Sequence, residues 1–153
     1  MTVTVEQSHT DTETDTDTAL RAADKKIDRL NAASLRRVIE PDTKVTGGVG
    51  EGQVIPSEML TVADLGLDLS DRERATLSRE ELASVVISGI RFETFLMSGF
   101  AAQMACTADL TDPRIVYMLH EMGEETRHSR LFIRLVDQLQ PKATDPLQTR
   151  LGQ

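Results

Sequence analysis

The sequence predicts an all-α protein organised around two long antiparallel helices. Three observations carry this. No stretch alternates β-branched with polar residues over a useful length, so strand signals are absent. Two segments, about 79–107 and 113–140, carry apolar residues at helical spacing between start and stop signals. Only a few residues join them, and helices joined by short connections lie as antiparallel neighbours. Each would span on the order of 40 Å at 1.5 Å per residue.

Composition sets the frame for the elements. A chain of 153 residues is one domain by length. With four Phe, one Tyr and no Trp, its core must be aliphatic, with Met and Ala filling gaps. A net charge of −8 argues against a nucleic-acid partner. The single cysteine, Cys106, excludes an internal disulfide and fits a reducing cytoplasm. It sits in an apolar run, which predicts a small buried hydrophobe. The start is polar and acidic, unlike a signal peptide. The most apolar run, Leu82–Cys106, is broken by Arg91, Glu93 and Gln103 and reads as a buried helix, not a membrane span.

Taken in order, residues 1–17 form an acidic tail with Glu6, Asp11, Glu13, Asp15 and Asp17, expected to be disordered. Residues 18–40 predict an amphipathic helix, its stripe running Leu20, Ala23, Ile27, Leu30, Ser34 and Val38, with Pro41 ending it. Residues 41–57 form a Gly-rich linker wrapping the bundle. Its Gly47, Gly48, Gly50 and Gly52 do not make a phosphate loop, because no Gly-Lys-Ser/Thr ending and no preceding strand exist. Residues 58–141 form the helical core. Within it, the stretch up to Leu69 predicts a helical turn or two. Ser70 with Glu73 is a capping box that opens a short helix. Ser78 with Glu81 repeats the signature and is expected to open the longer one near Arg79. That helix is apolar nearly all round, which predicts burial on most sides. Asp112 and Pro113 start the last helix, and Pro141 stops it. Residues 142–153 read as an irregular tail.

The chemistry lies in 120–132, His-Glu-Met-Gly-Glu-Glu-Thr-Arg-His-Ser-Arg-Leu-Phe. Glu125 and His128, three apart, fall on one helix face together with Met118, Met122, Phe132, Leu135 and Leu139. A Glu-x-x-His pair facing inward is the unit that carboxylate-bridged di-iron bundles use. On the other long helix Glu93 shares a face with Val86, Ile90, Met97 and Phe100. A buried carboxylate there must be protonated, paired or bound to a metal. Any one of the three alone reads as a paired or hydrogen-bonded core residue, with Arg91 or Arg127 as partner for Glu93. Together, Glu93, Glu125 and His128 read as metal ligands suited to iron or manganese. Glu121 is a further candidate ligand and Glu124 could orient His128, although solvent or pairing with Arg127 or Arg130 accounts for both. His9 and His120 read as surface residues, and nothing marks Tyr117 as redox-active.

Leu-Ser-Arg-Glu-Glu-Leu-Ala-Ser (77–84), Gly-Ile-Arg-Phe-Glu (89–93) and the 120–132 motif resemble the p-aminobenzoate N-oxygenase family of di-iron oxygenases, over roughly Leu30 to Leu147. The resemblance implies a ferritin-like helical bundle and a di-iron centre that activates dioxygen with an external electron donor. Its implied substrate is a small molecule, an aryl amine oxygenated towards a nitro group. Glu93, Glu125 and His128 match the family's first-half iron ligands. The family's second half adds further Glu and His ligands. After His128 this sequence has neither, and Asp137 and Asp145 are its only carboxylate side chains. The expectation is therefore half a bundle and half an iron site. The chain would be a truncated member lacking a C-terminal half, or a homo-oligomer that completes its site. A non-catalytic interaction module or a homodimeric metal-binding protein are the alternatives. No nucleic acid and no membrane are expected as partners, and the expected location is cytoplasmic.

Overall fold

The computed structural model of the chain describes residues 9–36 and 38–143, with side chains from Thr18 onward. The order is α1 (His9–Ser34), α2 (Pro41–Lys44), α3 (Asp71–Ala105) and α4 (Pro113–Leu139), with 3₁₀ turns at Ser57–Met59 and Ala63–Leu65. Among the described residues there is no strand, so the fold is all-α as the sequence predicts. The α3–α4 hairpin is the main packing unit, and α1 and α2 both lie on α4. The hairpin is antiparallel: Arg79 meets the Gln138 carbonyl at 3.1 Å, Gly89 meets Phe132, and Met97 meets Thr126.

Helix α3 starts on the Ser70–Glu73 capping box, with both reciprocal bonds made. The second start expected at Ser78 does not occur, and one helix of 35 residues runs through it. The physical reason is tertiary. The Ser78 hydroxyl is fully enclosed, donates to the Ala75 carbonyl at 2.9 Å and accepts the Val54 N–H at 3.0 Å. Glu81 accepts the Thr61 N–H and hydroxyl. Both residues of the apparent capping box therefore hold the linker. Ser78→Ala is expected to strand the Val54 N–H at a cost of about 1–3 kcal/mol. Limited proteolysis should then cut the 41–69 region faster than in wild type, with α3 and α4 still protected.

Burial on most sides of α3 is also corrected. Val85, Phe92 and Phe95 are 68%, 62% and 78% exposed. Along its middle α3 packs on α4, and α1 lies on α4 instead, so among the described helices none packs on the other flank of α3. By length and composition α3 could cross a membrane, but its Glu93 face is packed on α4. The core is correspondingly small: Leu60, Ala83, Val86, Ile115, Met118 and Leu139 are its buried apolar side chains among the described residues. Cys106, expected to be buried, is exposed where α3 ends.

Helix α1 begins at His9, inside the stretch expected to be disordered up to Asp17; residues 1–8 lie outside the described ones. Acidic residues suit the positive end of a helix dipole. It ends at Ser34, not near Ile39. The Ser34 hydroxyl bonds the Leu30 carbonyl at 3.1 Å, and Val38 and Ile39 beyond it are exposed. Pro41 does not simply end α1: it is the buried first residue of α2, where its missing N–H costs nothing.

The linker is strapped to the hairpin. Along α4, Arg130 pairs with Glu40 at 2.6 Å and with Asp42, Arg134 donates to the Val45 and Gly47 carbonyls, and Gln138 accepts the Val49 N–H at 2.7 Å. These anchors are four residues apart and share one face. The chain then crosses to α3, where Arg79 donates to the Gly50 carbonyl at 2.8 Å before the Ser78 and Glu81 anchors. Helix α4 starts on Asp112, whose side chain accepts the Arg114 N–H, and closes at Gln140 in the left-handed region before Pro141.

Candidate metal centre

Glu93 stands near the middle of α3, on the face that packs against α4, and is 9% exposed. Glu125 and His128 come from adjacent turns of α4. The antiparallel register brings all three to one level, with a donor atom of each within 4.8 Å of the others. His128 Nδ1 lies 3.1 Å from Glu125 Oε2 and 3.6 Å from Glu93 Oε1. The two carboxylate side chains are 14% and 12% exposed, whereas the imidazole is 51% exposed and forms the open edge. Two carboxylates and one imidazole are oxygen and nitrogen donors of the kind iron and manganese take, so the residues fit such a metal. Among the described residues this is the one cluster of its kind.

Electrostatics shows why this arrangement is costly without a cation. A hydrogen bond shared with Glu125 raises the Glu93 carboxyl to about 7, and burial and the neighbouring negative charge push the same way, against a smaller opposing effect of His128. The folded chain thus holds a proton that the unfolded chain releases near 4.5. Stability of the metal-free chain should fall as pH rises from about 4.5 to about 7 and level off above. Melting followed across that range should show this slope reduced in Glu93→Gln. An equal slope in both would remove Glu93 as its source.

The surroundings position the imidazole. The Phe132 ring stacks on His128 with centroids 6.4 Å apart. Gly89 of α3 makes room for that ring, since a Cβ there would lie 3.1 Å from it. Thr126 donates to the Met122 carbonyl at 2.7 Å and touches Met97 sulfur at 3.6 Å. The Ser129 hydroxyl, one turn past Glu125, is enclosed and has no hydrogen-bond partner among the described residues. Sequence reasoning passed over Gly89, Thr126 and Ser129. A glycine inside an apolar helix was the available signal for the first.

The weaker candidates go elsewhere. Glu124 pairs with Arg127 at 2.7 Å and not with His128. Glu121 takes a hydrogen bond from Tyr117 and raises its phenol. His120 is partly covered, and the side chain of His9 lies outside those described. Glu93 pairs with the α4 cluster, not with Arg127. On the linker side, a cavity of about 230 Å³ lined by Ile39, Pro41, Val45 and Leu131 reaches His128. It is smaller than the usual small-molecule pocket.

The family described as P-aminobenzoate N-oxygenase AurF matches residues 24–152. No curated protein and no solved structure matches the chain. The matched span takes in most of the sequence, including both site helices and all three clustered residues. The chain therefore belongs to the p-aminobenzoate N-oxygenase AurF family.

Proposed function

We propose that the chain is an oxidoreductase of the di-iron oxygenase type, acting on a small amine or similar organic substrate, with oxygenation at nitrogen. The observation that carries this is the convergence of Glu93, Glu125 and His128 at mid-hairpin in a chain of this family. Glu93 and Glu125 would hold iron through carboxylate oxygens and His128 through a ring nitrogen. When bound, an iron pair supplies reductive activation of dioxygen. The packed α3–α4 face keeps water from the carboxylates, Phe132 fixes the ring plane of His128, and the Ile39–Leu131 cavity gives a small molecule a path to the imidazole. Placing one atom of dioxygen on an amine nitrogen sends the other to water and takes up two electrons and two protons. An external electron donor is therefore part of the proposal.

Di-iron carboxylate bundles draw on two Glu and two Glu-x-x-His units, and one hairpin here supplies one of each. Activity is thus expected only where a second helical pair adds its donors. The test is product formation from p-aminobenzoate with iron, a reductant and dioxygen. A chain held monomeric should give no turnover. Addition of a separately expressed helical pair that carries the second Glu and Glu-x-x-His unit should give turnover that Glu93→Ala abolishes. No iron-dependent product under either condition would reject the reading. A second reading, a non-catalytic helical module that binds a protein partner, is favoured by the exposed Val85, Phe92 and Phe95. It predicts no bound iron.

A further inference from the structure

We propose that the space between the linker and α4 is a binding site for a small, uncharged aryl molecule, and that its occupant is felt at the candidate metal centre through Phe132. The site is separate from the three clustered donors and needs no metal. Its cavity measures about 340 Å³. Small-molecule pockets start at about 300 Å³, and an apolar cavity of about 150 Å³ already takes benzene. One ring or two fused rings therefore fit. The smaller cavity beside His128 adjoins it, since Val45 and Leu131 line both.

The first argument is the wall. Leu131, Phe132 and Leu135 of α4 form one side, and Val45 and Val49 of the linker form the other. Two further lining residues are polar, and both are committed to the linker. Arg134 donates to the Val45 and Gly47 carbonyls, and the Gln138 side-chain oxygen accepts the Val49 N–H. The surface left to the cavity is almost wholly apolar. A carboxylate placed there would lose its hydration without gaining a dedicated partner.

The second argument is room that the chain leaves unfilled. Gly47 and Gly48 also line the cavity. A Cβ at Gly47 would meet nothing within 4 Å, and one at Gly48 would meet only Gln138 Oε1, at 3.9 Å. Neither glycine has a positive φ, so neither backbone nor crowding calls for glycine here. The third argument is Phe132. It lines the cavity and stacks on His128 with centroids 6.4 Å apart. On the α3 side Gly89 is already close, since a Cβ there would lie 3.1 Å from the ring. An occupant of the cavity adds another packing face and holds the ring against the imidazole.

Indole and indole-3-carboxylate test this with the 153-residue chain in chelator. The chain has no Trp, so indole fluorescence follows binding without a protein background. The expected result is saturable indole binding, with NOE contacts to the Phe132 ring and a shift of the His128 ring signals at saturation. Indole-3-carboxylate should bind about tenfold more weakly or worse, because its charge is desolvated. Gly48→Leu places a side chain in the cavity and should weaken indole by about tenfold or more, with circular dichroism unchanged. Phe92→Ser with Phe95→Ser removes exposed rings of α3 and should leave indole affinity as it is. Equal affinity for the carboxylate would overturn the uncharged ligand. NOE contacts to Phe92 and Phe95 in place of Phe132, or loss of binding in their double variant, would overturn the location. Should Gly48→Leu lose helix content, the NOE contacts in wild type decide the location alone. Unmoved His128 signals at saturation would overturn the coupling. No saturable binding up to the solubility of indole would overturn the site, and leave the oxygenase reading untouched.

Discussion

Replacing Glu125 and His128 together with alanine is expected to remove iron binding while leaving the fold intact. The pair supplies two of the three donors, and a single carboxylate at Glu93 does not retain iron against water. Changes that merely disturb the groups around metal ligands cost about 10–100-fold in affinity, so loss of two ligands should exceed 100-fold. The fold should survive because neither side chain belongs to the apolar core. Removing Glu125 takes away both the hydrogen bond and the negative neighbour that raise the Glu93 carboxyl, and removing His128 takes away the smaller opposing effect. The stability of the metal-free double variant should therefore fall less steeply with rising pH than that of wild type. Metal analysis after equilibration with iron, beside circular dichroism, decides it. Equal iron in wild type and variant would exclude these residues as ligands.

Leu139→Ala is expected to be the most damaging single core truncation for stability. Leu139 is 3% exposed at the last turn of α4, next to the Gln138 and Arg79 anchors. Truncating a buried leucine to alanine costs about 2–5 kcal/mol, through lost transfer energy and the cavity left behind. Domains have only about 5–15 kcal/mol in total. A core with so few buried apolar residues has little to spare, so the variant should be substantially unfolded in low urea. Phe95→Ala, at 78% exposure, provides the contrast and should change monomer stability by no more than about 0.5 kcal/mol. Urea unfolding of both variants in chelator makes the comparison. A Leu139 variant as stable as the Phe95 variant would mean that the α4 terminus is not part of the cooperative unit.

These residues also show what a sequence can disclose. Both ends of α4 were legible, because Asp112, Pro113 and Pro141 act through their immediate neighbours. The same local rule succeeded at Ser70 and Glu73 and failed at Ser78 and Glu81. Nothing nearby in sequence reveals that Val54 and Thr61 arrive to claim those side chains. The juxtaposition of Glu93 with Glu125 and His128 was readable from inward stripes on two helices with a short connection. Glu124 was less readable, since Arg127 on the next turn competes with His128 for it. The exposure of Phe92 and Phe95 was not legible at all. An apolar face states that a partner is wanted, and it does not state whether the same chain provides one.

The strap over the hairpin has a consequence for how the chain is made. Its anchors are Arg130, Arg134 and Gln138 on α4, then Arg79, Ser78 and Glu81 on α3. During synthesis, Glu40 to Thr61 leave the ribosome before any of these. At about 5–20 residues per second, the segment waits on the order of ten seconds for the end of α4. Residues 50–61 can dock once the start of α3 is made, whereas residues 40–49 wait for α4. This part of the assembly therefore runs against the direction of translation, and a nascent chain arrested before Arg130 should leave residues 40–49 open to protease.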